Sequence, residues 1–356
     1  MRAASRALAA LALALPLAAA AAPDAASAHL EDFDAMWRAI DRDYAFEGSR
    51  AAWTQARGKW RARAARARDP ARLAAALTGA LDTLRDDRVT LAANGKPPTR
   101  VPYDIDIWPR WGKDGARVEA VRVFSNADVA GMLPGQPLKR IGDAPVERAL
   151  RERLGHPPKD AAEAEWTMRR LLADLGPGPP RSPGMPAVSA RRIGVHRDIG
   201  YVRLRIGVAE PHLDEQLNAA IASTVGMRAL IVDVRDNAAP GMPDATQAAL
   251  ARLGARNLPT LVLVDRWTAG EGEALAAGLA ATGHARLIGT RTAGVRGEMR
   301  DLRLPHSGLV VSYPVRAAKG SAPPRRPLDP DVAIDLAAPR GGPGDPILYE
   351  ALKLLE

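Results

Sequence analysis

The chain has 356 residues, 47% of them hydrophobic and 26% charged, enough for two or three compact domains with a sizeable core. It has no cysteine, which excludes disulfides, thiolate metal sites and a cysteine nucleophile. The formal net charge of +9 comes mostly from dispersed arginines; the densest cluster, Lys59, Arg61, Arg63 and Arg66 among alanines, reads as one solvated helix face without the aromatic interleaving of a nucleic-acid surface, so no nucleic-acid partner is expected.

Arg2 and Arg6 precede an apolar run from Ala7 to Ala22, and small residues then offer cleavage after Ala22 or after Ala28. The run falls short of the roughly 20 strongly apolar residues needed to span a bilayer. Residues 1–28 therefore read as a cleavable signal peptide, which places the mature protein in the periplasm or outside the cell. No cysteine follows the run to carry a lipid, and no later segment is apolar enough to span.

Residues 29–98 are expected to form an N-terminal helical bundle. Leu30, Phe33, Met36, Trp37 and Ile40 recur at helical spacing, and Asp69-Pro70 marks a helix start ahead of Leu73, Leu77 and Leu81. From Val101 the texture changes to short alternating runs such as Val118–Val123. A Pro134-Gly135 turn, a strand at Lys139–Ile141, a Gly142-Asp143 turn and a helix from Val146 follow. This predicts a small β-rich module over 99–155. Residues 156–190 read as a helix and a Pro/Gly-rich linker.

Strand and helix alternate over 191–356. Strands are predicted at Ile199–Ile206, Ala229–Val234, Leu261–Val264 and Leu287–Gly289, with helices at Leu213–Thr224, Ala245–Leu253 and Glu271–Ala281 between them. An antiparallel pair is expected near Met299–Leu304 and Leu309–Tyr313. The class is α/β, α+β overall, with a mostly parallel sheet in the last part.

Sites in such sheets lie beyond the carboxyl ends of the strands. One end reads Asp233-Val234-Arg235-Asp236-Asn237-Ala238-Ala239-Pro240. The other runs Asp265-Arg266-Trp267-Thr268-Ala269-Gly270-Glu271-Gly272-Glu273, with Gly270 at a strand-to-helix turn able to present a nucleophile and backbone donors.

Here the chain resembles the tail-specific, or C-terminal processing, serine peptidase family, including its tricorn-core branch. The resemblance rests on the Trp37–Phe46 opening helix, the Leu84–Val89 end of the bundle, and the Asp233-x-Arg235-x-Asn237 strand end. It continues through the turn after Val264, Gly289-x-x-Thr292-x-Gly294, and Leu328-Asp329-Pro330-Asp331-Val332. It implies that the β-rich module with Leu133-Pro134-Gly135 is a degenerate PDZ domain and that the last part is the peptidase core. Carried over position by position, it places the family's serine at Gly270, which has no side chain to attack a carbonyl. The base of the histidine branch falls at Arg88, a guanidinium that stays protonated, and the base of the lysine branch at Val295. The oxyanion region falls on Ala238, Ala239 and Glu271, next to a proline that lacks an N–H, and Asp329 matches an acidic supporting position.

The resemblance therefore implies a degenerate, non-catalytic homologue that binds a polypeptide segment or unfolded protein as scaffold, adaptor or regulator. The alternative is an active peptidase with a rearranged site using Thr268; otherwise Thr268 is a structural hydrogen-bonder. A third reading, a lipid or polyanion binder, requires a clustered basic face. Thr292 is the other hydroxyl near the turn, since no serine lies between Ser223 and Ser307. Glu271 and Glu273 begin a helix, where carboxylates are favoured, although paired carboxylates can also do acid–base work. His284 reads as a loop residue and His306 as part of a hairpin turn. The six histidines are scattered, so no metal site and no cofactor are expected.

Overall fold

The computed structural model describes residues 24–44, 49–92, 101–176, 186–205, 212–237, 243–295, 298–315, 327–338 and 344–356. The first 23 residues, which hold the apolar run and the cleavage point after Ala22, lie outside the described residues, as do Ala238 and Ala239. Among the described residues no helix is long and apolar enough to cross a membrane.

The chain opens with three helices, α1 (Ala25–Asp43), α2 (Arg50–Ala65) and α3 (Pro70–Leu81). Asp24 caps α1 by accepting from Ser27 N at 2.7 Å, and Asp69 caps α3 with Pro70 in its first turn. Phe33, Met36, Trp37, Ile40, Trp53, Leu73 and Leu77 meet in one core, in which Trp37 stacks on Trp53 with ring centroids 3.7 Å apart.

After a short strand β1 (Thr90–Ala92) comes the β-rich module: β2 (Ile107–Gly112), β3 (Gly115–Val121), the single turn α4 (Asn126–Val129), β4 (Arg140–Ile141), β5 (Ala144–Pro145) and α5 (Val146–Leu154). Helix α6 (Ala161–Asp174) packs on it. β2 and β3 form an antiparallel hairpin, and the chain at Gly135–Leu138 pairs along the other side of β3. Trp111 N on β2 donates to Glu165 of α6 at 3.0 Å, so the chain's own helix occupies that end of the hairpin.

The remaining elements are β6 (Val188–Ile193), β7 (Ile199–Leu204), α7 (Leu213–Ala222), β8 (Ala229–Asp233), α8 (Pro243–Gly254), β9 (Thr260–Val264), α9 (Glu271–Ala280), β10 (Ala285–Gly289), β11 (Met299–Arg303), β12 (Val310–Pro314), β13 (Val332–Ala333) and α10 (Pro346–Leu355). Their main sheet has the order β13-β10-β9-β8-β7-β6, parallel except for the β6–β7 hairpin. Alternation along the strands sends Val202, Val232, Val262 and Val264 to a core under α7, α8 and α9. Tyr201, Ile231, Leu261 and Leu263 face the opposite core, under α10. This is the mixed α/β architecture with a mostly parallel sheet that the sequence predicts.

The structure differs from the sequence expectation in two places. β6 starts at Val188, inside the stretch read as linker, because it is short and carries Arg191 and Arg192, which hide its strand character. The expected antiparallel pair forms as β11–β12 but does not join the main sheet. β12 instead pairs with β1, in register Thr90↔Ser312 to Ala92↔Val310. Leu304, Leu309, Val311 and Tyr313 complete the core of the helical bundle. The turn of this hairpin is held by Asp32 on α1, which is fully buried and accepts from His306 N and Ser307 N, each at 2.8 Å. His306 also pairs with Glu31 at 2.6 Å.

Asp32→Ala removes the buried acceptor of both N–H groups and is expected to lower stability by roughly 1–3 kcal/mol. Asp32→Asn, which keeps one acceptor, is expected to lose less. Urea unfolding of the two variants beside the wild type measures this.

Candidate active site

At the carboxyl end of β9 the chain makes a tight turn before α9. Asp265 anchors it: its Oδ1 accepts from Trp267 N at 2.9 Å and from Asp236 N, at the end of β8, at 3.3 Å. The Thr268 hydroxyl accepts from Asp265 N at 2.9 Å and lies within donating reach of Asp265 Oδ1 (3.1 Å) and Val234 O (3.2 Å). Thr268 is fully buried, so its hydroxyl is spent on the turn itself. Ala269 N donates to Asn237 O at 3.3 Å, which ties this turn to the strand end of β8.

Gly270 follows as the N-cap of α9, with φ 52° and ψ −116°. A non-glycine residue is strained at such a φ. Space is not what excludes a side chain: a β-carbon built here has nothing nearer than the Tyr103 hydroxyl, at 3.8 Å. Tyr103 belongs to the segment leading into β2, and its carbonyl accepts from Arg122 at 2.9 Å. The position matched to a nucleophile is thus open toward a tyrosine of the β-rich module. Nothing in the sequence patterns pointed to Tyr103, because the two residues are distant in the chain.

The next turn of α9 is crowded. A β-carbon on Gly272 would stand 2.8 Å from Asn237 Cβ. Asn237 itself donates to Leu204 O at 3.2 Å. Glu271 lies partly exposed in the first turn. Glu273 is fully buried and binds the Thr292 hydroxyl, Gly294 N at 2.8 Å and Val295 N at 3.0 Å. Its carboxylate therefore acts as a staple between α9 and the segment after β10. Val295 touches the site through its backbone N–H and offers no side-chain base. Thr292 N donates to Leu328 O at 3.0 Å and its hydroxyl accepts from Leu328 N at 2.8 Å, which fixes the Leu328–Val332 segment beside it.

Arg88 binds Asp86 through Nε and Nη2, at 2.8 and 2.7 Å, and Asp86 also accepts from Tyr44 at 2.7 Å. Burial works against the Asp86 carboxylate, but Arg88 and Tyr44 hold its pKa below the usual value. Asp329 is exposed and pairs with Arg291 at 3.0 Å. The turn thus gathers Gly270, Glu271, Thr268 and the backbone of Val295, whereas Arg88 and Asp329 serve ion pairs of their own.

The turn is bolted to the β-rich module. Trp267 is buried, donates to Ile105 O at 2.9 Å, and meets Trp108 edge-on with centroids 6.3 Å apart. Arg266 binds Glu119, and the guanidinium groups of Arg266 and Arg169 lie 5.2 and 5.1 Å from the Trp108 ring. Arg122 forms a buried ion pair with Asp236, which Arg205 approaches to 3.7 Å. Asp265 faces this cluster. Burial, and then the neighbouring Asp236 carboxylate, push its pKa up to about 6, against the pull of Arg235. Arg235 in turn grips Asp233 at 2.7 Å and Asp345, the cap of α10, at 2.8 Å.

Residues 240–332 match the family model of peptidase family S41. Over this stretch the chain is similar to the S41 peptidases. A crystal structure of a candidate peptidase from Parabacteroides merdae is similar over 92% of this chain and 96% of its own, at 16% identity and a TM-score of 0.56. The crystal structure of mature CPAF is similar over 87% and 93%, at 13% identity and a TM-score of 0.52. At these identities the likeness is one of fold. No curated protein matches the chain in sequence. Within the matched stretch, the turn between β9 and α9 carries a glycine at its N-cap, fixed from below by Asp265, Thr268 and Glu273.

Two measurements probe that framework. Gly272→Ala adds a methyl against Asn237 and is expected to cost roughly 1–3 kcal/mol of stability, although alanine favours helix by about 1 kcal/mol. Thermal or urea unfolding reads the net loss. Asp265 takes up its proton more readily folded than unfolded, so its contribution to stability falls as pH rises from about 4 toward its folded pKa of about 6, and is constant above that. The stability difference between wild type and Asp265→Asn is expected to shift against the wild type across that window, as read by unfolding curves at stepped pH.

Proposed function

We propose that this protein is an exported, non-catalytic relative of the S41 peptidases that binds polypeptide segments. The observation that carries the reading is Gly270. It stands at the strand–turn–helix position matched to the nucleophile, keeps the positive φ of a sharp turn, and presents no reacting atom. Supporting it, the nearby hydroxyls of Thr268 and Thr292 are buried and committed to Asp265 and Glu273. An active site built on Thr268 would require that hydroxyl to leave the turn it closes. Arg88 and Val295, at the base positions, supply no group that can accept a proton.

The polypeptide-binding half of the reading draws on the S41 core and on the site's retained framework. The β-rich module is given a positioning role rather than one of tail capture. The β2 end is tied to Glu165 of α6, and β3 is paired on both sides. For export, the capping contact of Asp24 with Ser27 favours cleavage after Ala22, because cleavage after Ala28 removes the cap and the first residues of α1.

The test is cleavage of an unfolded protein substrate by the purified mature protein, beside Gly270→Ala and Thr268→Ala. No cleavage above background is expected from any of the three, with the substrate retained in a binding assay. Cleavage that copurifies with the wild type and disappears in Thr268→Ala overturns the non-catalytic reading. The mass of the exported chain reports the cleavage point, and a start at Pro23 is expected.

A further inference from the structure

The main sheet ends on one side at β6, and the backbone of β6 has a defined free side. Arg205 N donates to Ala187 O at 2.8 Å, so Ala187 and Arg205 are a hydrogen-bonded pair of the β6–β7 ladder. By the alternation of an antiparallel ladder, with register Val188↔Leu204 to Ile193↔Ile199, residues 189, 191 and 193 bond inward to β7. The N–H and C=O groups of Val188, Ala190 and Arg192 point the other way. Among the described residues no backbone group pairs with them.

The surroundings of this edge are cationic. Arg191 and Arg192 are exposed on β6, and His196 and Arg197 are exposed in the turn that follows. Arg191 is not loose: its guanidinium lies 4.7 Å from the Tyr201 ring, which holds it beside the strand. Arg203, the cross-strand partner of Ser189, has a buried Nε with no hydrogen-bond partner. The acidic residue of the turn, Asp198, is taken by Arg228 at 2.6 Å. Val195 stands 79% exposed at the tip, an apolar contact beside the charges.

We propose that the β6 edge is a docking site for an extended acidic polypeptide segment, added as a further strand of the main sheet. Deepening the polypeptide-binding reading, this places one contact away from the Gly270 turn. The backbone groups at 188, 190 and 192 demand a partner with alternating N–H and C=O groups, which a polypeptide has and a nucleic acid lacks. The arginines select for acidic side chains on it. A second copy of this chain is a poor occupant, because it brings the same arginines to the same edge and like charges across a strand pair repel. Arginines are also the usual protection of an edge strand against pairing. The experiment separates the two roles.

The probe is a labelled ten-residue peptide alternating Glu and Val, compared with the same peptide N-methylated at alternate residues, with its Lys/Val counterpart, and with a single-stranded DNA of equal charge. The protein is the full mature chain. Ala190→Pro removes one outward N–H while leaving the inward ladder, a position where an edge strand tolerates proline. Arg191→Glu/Arg192→Glu reverses the charge on exposed side chains. Both are checked for folding by thermal unfolding. The Glu/Val peptide is expected to bind, the N-methylated and Lys/Val peptides not, and each variant to weaken binding about tenfold or more. Undiminished binding by Ala190→Pro, or DNA binding as tight as the peptide, overturns the proposal. If Ala190→Pro still binds an unfolded protein as the wild type does while the Glu/Val peptide fails, the edge is wrong and the general polypeptide-binding reading stands. If the wild type binds neither, both fall.

Discussion

The burial of charge at the carboxyl ends of β8 and β9 is the constraint on which the rest of the molecule is arranged. Asp233, Asp236 and Glu273 are buried there, with Asp265 half-buried beside them, and an unpaired buried carboxylate costs several kcal/mol. Each is met by a different part of the chain. Arg235 and Tyr201 hold Asp233, Arg122 of the β-rich module holds Asp236, and the backbone of 294–295 holds Glu273. Asp265, with only turn N–H groups, a hydroxyl and a distant arginine, keeps its proton more readily than an ordinary carboxyl group. Satisfying these groups pins the module, the 290–295 segment and α10 to the sheet at once.

This framework surrounds a position that presents no reacting atom. Preorganised backbone and buried polar networks are what a peptidase core needs to stabilise a developing charge, and they remain useful to a protein that only holds a chain in place. The Gly270 turn, open to Tyr103, is a surface of fixed shape. On the proposed reading, that arrangement serves binding rather than chemistry.

Much of this was legible in the sequence, and the reason differs by element. The long apolar periods of α1, α3 and α9 and the near-continuous strands β8 and β9 declare themselves, because burial on all sides leaves a strong local pattern. Gly270 was found because Trp267, Thr268 and Glu273 bracket it. The structural work of Thr268 has a local signature, an aspartate three residues before it at a strand end. Tyr103, the Arg122–Asp236 pair and the stacking of Arg266 and Arg169 on Trp108 were not legible, since each joins residues far apart in the chain and no local pattern encodes a tertiary partner. β6 was missed because exposed arginines mask its alternation. The pairing of β12 with β1 was not legible either, since the two strands lie far apart in the chain.

That hairpin has a consequence for how the chain is made. The bundle at the N-terminal end lacks part of its own core until residues 304–313 arrive, and β1 has no partner until β12 is present. A chain emerging from a ribosome carries its first helices exposed through most of its length. The first-made domain is therefore among the last to close, and its apolar faces are available to chaperones for nearly the whole of synthesis.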